Sequence, residues 1–177
     1  MTAVSPARLM RFLALLILLG TAGVARAQSG PTGSGESAGK DAQAARWVIS
    51  TSLYTRHFHP SPDHNNQQRL IGLERIRDDG WLAGLAHFHN SFDQPSTLAF
   101  IGRRWDSTER LPGAYLKVVG GLLHGYKGEY RDKIPFNRSG IAPVVIPSVG
   151  WQIGRGSLEM VLFGNSGVMW TVGYAIR

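Results

Sequence analysis

The chain has 177 residues, no cysteine and a formal net charge of +7. The missing cysteines exclude disulfide stapling, a thiol nucleophile, Cys-based zinc sites and a lipid-anchored N-terminal cysteine. Arg8, Arg11 and Arg26 lie in the first 27 residues, and without them 16 basic side chains face 12 acidic ones, a net +4. That excess suits anionic lipid head groups, and nothing in its distribution suggests nucleic acid.

In chain order, residues 1–27 read as a secretory signal peptide. Arg8 and Arg11 form a positive start, Phe12 to Leu19 is an apolar run too short to span a bilayer, and Ala25-Arg26-Ala27 is a small-x-small cleavage site. Residues 28–45 are rich in Gly, Ser and Ala, with too few apolar side chains to bury, and read as a flexible or short helical lead. From residue 46 to 177 the chain divides into eight strand-like segments: Arg46 to Phe58, Arg69 to Arg77, Trp81 to about Ser91, Thr97 to Asp106, Ala114 to His124, Ile141 to Ile153, Ser157 to Phe163, and Gly167 to Arg177. The last is the cleanest, with large apolar residues at even positions (Val168, Trp170, Val172, Tyr174, Ile176) and small or polar ones at odd positions apart from Met169. Successive side chains of a strand point to opposite faces, so this segment has one apolar face and one small or polar face.

No later stretch approaches 18 consecutive apolar residues, so any membrane crossing falls to the strands. An even number of amphipathic strands behind an export signal predicts an all-β, eight-stranded antiparallel up-and-down transmembrane β-barrel in the outer membrane of a Gram-negative bacterium. A secreted soluble barrel or sandwich is the alternative. The connections at Asp78–Gly80, Ser107–Gly113 and Gly154–Gly156 fall at one end. Those at His59–Gln68, Phe92–Ser96, Gly125–Gly140 and Asn165–Ser166 fall at the other, which should face outside because outer-membrane barrels keep their longer loops there. Trp47, Trp81, Trp105, Tyr115, Trp151 and Trp170 near strand ends fit interfacial girdles, although a soluble core would space them similarly.

Four of the six histidines form two His-x-His pairs, His57/His59 and His87/His89. Each pair shares a strand face and the two pairs lie near one rim, yet no HExxH spacing or Asp-His cluster completes a ligand set, and no metal or cofactor is expected. Ser91 falls on the same face as His87 and His89, and a serine needs a nearby base to attack an acyl group. A strand-end residue hydrogen-bonding a turn is the plainer reading. Lys127, Arg131 and Lys133 in the long loop, with Arg56 at the strand-one end, are candidates for lipid phosphates; a solvated loop balanced by Glu129 and Asp132 is the alternative. Pro143 and Pro147 lie inside the sixth strand, where proline removes ladder donors, so pairing should break there; a lateral gate in the bilayer is one reading and simple relief at a barrel rim the other.

These residues together resemble the lipid A palmitoyltransferase family, from about Ser50 to Ile176. The resemblance rests on Leu53-Tyr54-Thr55-Arg56, Gly72-Leu73 with Asp79-Gly80-Trp81, Phe88-His89-Asn90-Ser91-Phe92, Arg131-Asp132, Pro143-Val144-Val145-Ile146-Pro147 with Ser148-Val149-Gly150-Trp151, and Gly164-Asn165-Ser166-Gly167. It implies an eight-stranded outer-membrane barrel that binds an acyl chain or phospholipid and transfers the chain to lipid A, with membrane lipids and lipopolysaccharide as partners and a monomeric state. The family's catalytic His falls on Tyr54, its Asp on Asn90, and its Ser is retained as Ser91. His57 or His89 is then the neighbouring candidate for the base, because tyrosine is a poor base near neutral pH. The chain is also similar to exported proteins named as sn-glycerol-3-phosphate transporters. The second expectation is therefore a non-enzymatic outer-membrane barrel with a transport or structural envelope role. A smooth apolar lower lumen lined by Gly120, Gly173 and Ala175 favours acyl binding, and a polar, water-filled one favours transport.

Overall fold

The computed structural model describes residues 45–107 and 110–176. The predicted signal peptide and nearly all of the lead lie outside the described residues. Eight antiparallel strands form a closed barrel in sequence order: β1 (Arg46–His57), β2 (Ile71–Ile76), β3 (Trp81–His89), β4 (Pro95–Asp106), β5 (Ala114–His124), β6 (Ile141–Ile153), β7 (Gly156–Leu162) and β8 (Gly167–Ile176). Closure comes from β1 pairing with β8, from Trp47 opposite Ile176 to His57 opposite Gly167. All eight strands begin and end within two residues of their predicted limits, and a 3-10 helix, Gly128–Lys133, interrupts the long loop.

Side chains alternate in and out as the period of two requires. In β2, Ile71, Leu73 and Arg75 face outward while Gly72, Glu74 and Ile76 face inward. The outer wall is apolar: Ile71, Leu85, Ile101, Leu122 and Val145 are all more than half exposed. At the end holding the short turns, the turn end, Trp47, Trp81, Trp105 and Trp151 face outward, with Arg75 above Trp47 and Arg103 between Trp81 and Trp105. Tyr115 departs from the girdle expectation. Its odd position on β5 turns it inward, where its hydroxyl donates to Glu159 at 2.9 Å and its ring lies across Gly150, which has no Cβ to obstruct it.

The interior has two layers. Toward the opposite end, the loop end, Leu70, Ala86, Leu98, Leu123 and Met169 are buried, with Phe88, Phe100, Val144, Ile146 and Val161 packed against them. Toward the turn end, Lys117 reaches Glu74 at 3.1 Å and Glu159 at 2.9 Å, and the Arg104 guanidinium stacks on Tyr115. The lower lumen is therefore neither smoothly apolar nor lined as expected. Gly173 and Ala175 face inward, but Gly120 faces outward because inward positions on β5 are odd.

Two departures from regular pairing shape the loop end. The β1–β8 register slips by one residue between Ser52 and Tyr54. This bulge reverses the alternation of β1: Val48 faces inward before it, and Thr55 and His57 face inward after it. The Ser52 hydroxyl steadies the bulge by accepting the Leu70 N–H at 2.9 Å. The second departure is in β6, which pairs with β5 from Ile141 to Trp151 but with β7 only from Ser148 to Ile153. The edge from Ile141 to Pro147 has no ladder partner on the β7 side, and both prolines face outward along it.

Candidate functional site

The bulge in β1 places His57 inside the barrel at the loop end, and everything around it belongs to three loops. His57 Nδ1 lies 2.8 Å from Asn66 Oδ1, and His57 Nε2 lies 2.9 Å from Ser91 Oγ. A carbonyl oxygen only accepts, so Nδ1 carries the proton and Nε2 presents its lone pair to the Ser91 hydroxyl. This is the relation of nucleophile, base and orienting group that serine acyl-transfer chemistry requires.

Ser91 reaches this position because β3 stops at His89. The Asn90 side chain, fully buried, accepts the N–H groups of Phe92 at 2.9 Å and Gln94 at 3.1 Å and so folds the chain into a tight turn. Asp93 closes the turn in the left-handed region, with φ +57°. Ser91 therefore turns back over the lumen rather than sharing a face with His87 and His89, as a strand continued to Ser91 had implied. His89 faces outward, where its ring contacts Asp93 at 2.8 Å. His87 contacts Thr97 at 3.0 Å on the same outer face.

Of the other sequence candidates, Tyr54 is half exposed on the outer wall just past the bulge, and Asn90 acts on the backbone of its own turn. Neither side chain is hydrogen-bonded to the Ser91 or His57 side chain. Arg56 is exposed on the outer wall. The Lys127 main chain exchanges hydrogen bonds with the Gln94 amide at 3.1 and 3.2 Å, tying the long loop to the Ser91 turn. Arg131 pairs with Asp132. Of the four cations only Lys133 approaches the site, with its ammonium 5.9 Å from the Phe92 ring centroid. Among the described residues no group of three His, Asp or Glu side chains is placed to hold a metal ion.

An aromatic roof covers the pair. His64 lies on His57 with ring centroids 4.3 Å apart, meets Phe92 edge-on at 5.5 Å, and Phe92 stacks on Tyr130 at 4.1 Å. Burial, with His57 and Lys133 close by, lowers the pKa of His64 against the pull of Asp63. It stays neutral against the His57 ring. Tyr126 lies against the Ser91 hydroxyl and main chain, and burial raises its phenolic pKa, so it stands there as a neutral O–H group.

Sequence reasoning named Ser91 and His57 but missed Asn66, His64 and Tyr126. The first two sit in the thirteen-residue loop 58–70, which has no periodicity, so no spacing marked them. An open apolar groove of about 600 Å³ between Trp105, Trp151 and Trp170 lies on the outer wall, away from this site. Compared with models of known protein families and with curated proteins, the chain matches none.

Proposed function

We propose that the protein is an outer-membrane acyltransferase, which takes an acyl chain from a phospholipid and passes it to a hydroxyl of lipid A. The observation that carries this reading is the Ser91 hydroxyl 2.9 Å from a histidine nitrogen whose partner nitrogen is held by Asn66 at 2.8 Å. Ser91 Oγ attacks the ester carbonyl while His57 Nε2 takes its proton. The lysophospholipid then leaves with that proton, and an acyl-serine remains. A lipid A hydroxyl, deprotonated by the same nitrogen, attacks the acyl-serine; the new ester forms and Ser91 regains its proton.

The surroundings support lipid as the substrate. An apolar outer wall ringed by tryptophan at one end is what a barrel in hydrocarbon presents. The unpaired β6 edge at Pro143 and Pro147 opens beside the apolar layer under Ser91, giving an acyl chain a sideways entry. Unpaired backbone inside a bilayer is tolerated where it lines a cavity. The loop end, holding Ser91, then faces the cell exterior, where lipid A resides, and export by the general secretory route is what residues 1–27 imply. The polar Glu74–Lys117–Glu159 cluster toward the turn end is the lining the transport reading expects; that reading is weaker because an eight-stranded barrel has room inside for side chains or one small ligand rather than an open channel.

The test is the purified protein in detergent micelles, supplied with radiolabelled phospholipid and lipid A. Labelled lipid A and an equal amount of lysophospholipid are expected from the wild-type protein and neither from Ser91→Ala. Equal transfer by both proteins, or by neither, refutes the reading.

A further inference from the structure

Three buried polar atoms around His57 have no hydrogen-bond partner among the described residues: His64 Nδ1, on the ring that roofs it, and Thr55 Oγ1 and Gln68 Oε1, on the segments that carry His57 and Asn66. Thr55 is 1 % exposed and Gln68 4 %. Buried polar groups are almost always paired, because leaving one unpaired is costly. The Thr55 and Gln68 atoms therefore point to a partner that arrives with the ligand.

The backbone brings both side chains to the site. Thr55 lies two residues before His57 on the inward face of β1, about 7 Å along the strand. Its N–H donates to the Asn66 carbonyl at 3.0 Å. The Asn65 N–H donates to the Ser91 carbonyl at 2.8 Å, and the Gln68 carbonyl accepts the His89 N–H at 2.8 Å. Residues 65–68 thus form a bridge between β1 and β3. Asn66 lies at a bend, where the Gln67 N–H donates to Asn65 Oδ1 at 2.9 Å, and holds His57; Gln68 follows two residues later with its side chain buried.

Resting on the acyltransfer reading, we infer that Thr55 and Gln68 form the oxyanion pocket of this site, binding the carbonyl oxygen of the acyl ester. When Ser91 Oγ bonds to the carbonyl carbon, the C=O π pair moves onto oxygen and the serine proton moves to His57 Nε2. The Thr55 hydroxyl donates to that oxygen. The Gln68 amide, turned half a rotation about its last side-chain bond, presents N–H where the unpartnered oxygen now sits. As the intermediate collapses, the pair re-forms C=O, the C–O bond to the leaving alcohol breaks, and that oxygen takes the proton from His57. Donors aimed at the oxygen where charge develops are the most effective kind, and the Gln68 amide takes that orientation when the ester binds.

The test is steady-state kinetics of the purified full-length barrel on a phospholipid in detergent, with kcat and KM separated and Tm recorded for each variant. Gln68→Leu should lower kcat by about 10²–10³-fold and Thr55→Val by about 10–10²-fold, with KM changed little. Thr55→Ser, which keeps the hydroxyl, should recover most of the rate lost in Thr55→Val. Tm should stay level or rise in Thr55→Val, because an unpaired buried hydroxyl has been replaced by a methyl group of the same shape. A kcat unchanged in both Gln68→Leu and Thr55→Val, while Ser91→Ala abolishes turnover, overturns the pocket and leaves the acyltransfer reading standing. Rate and Tm falling together with no recovery in Thr55→Ser assigns these residues a packing role and also overturns it. Turnover that survives in Ser91→Ala overturns both.

Discussion

Replacing Asn66 by leucine removes the only described partner of His57 Nδ1 while keeping the side chain's volume. In the resting site this is a neutral hydrogen bond of 2.8 Å. During attack, His57 becomes an imidazolium, and the bond becomes charge-assisted and roughly twice as strong. A hydrogen bond to a charged group contributes about 1.5–3 kcal/mol; about half of that is present before attack, so the barrier rises by roughly 0.75–1.5 kcal/mol and, at about 1.36 kcal/mol per tenfold, kcat should fall by about 4- to 13-fold. KM should barely move, because the interaction strengthens only in the transition state. Asn66→Asp should act oppositely: a carboxylate favours the imidazolium, so activity is retained. The assay is initial-rate acyl transfer across pH 5–9 on barrels shown to be folded. Wild-type kcat in Asn66→Leu would refute the assignment of His57 as the base oriented by Asn66.

Four further outcomes follow from particular contacts. Lys117→Met leaves Glu74 and Glu159 as uncompensated buried carboxylates, and denaturant titration should show a loss of about 3–5 kcal/mol; a loss below 1 kcal/mol contradicts the description of the cluster. Ile146→Cys with Phe163→Cys would extend the β6–β7 register across the unpaired edge, so oxidation should slow transfer and reductant should restore it; transfer unaffected by oxidation removes the lateral entry. An epitope inserted beside Asn137 should be reached by antibody on intact cells, and detection only after the outer membrane is breached inverts the orientation. The lowered pKa of His64 means that its folded environment prefers the neutral ring, so the roof keeps its stability above the ordinary histidine value of 6.5 and loses it as pH falls below that value. Hydrogen exchange in residues 61–66 should therefore speed up as pH falls from 6.5 toward 5 in the wild type, after correction for intrinsic exchange, and not in His64→Phe.

The barrel was legible because its signals are local. The alternation of β8 and the turns at Asp78–Gly80 and Gly154–Gly156 need only neighbouring residues, and all three appear in the structure. Inward and outward assignments failed where phase had to be counted, as with Gly120 and Tyr115. β2 begins two residues later than the pattern suggested because Arg69 adopts φ +47°, outside the strand region. The bulge was in fact written in β1: Trp47, Ile49 and Leu53 mark the odd positions as outward, and Tyr54, Arg56 and Phe58 then mark the even ones. Reading that change of phase separates inward-facing His57 from outward-facing Tyr54. Asn66 offered no such signal. Its role depends on a loop path fixed by the Asn65–Ser91 and Thr55–Asn66 backbone bonds, which join segments 11 to 26 residues apart.

The most direct test of the account is mass spectrometry of the envelope lipids from a Gram-negative host producing either the wild-type protein or Ser91→Ala at equal levels of folded barrel. The account predicts lipid A ions heavier by one acyl chain, with a matching rise in lysophospholipid, in the wild-type strain alone. Identical lipid A and phospholipid spectra from the two strains would contradict it.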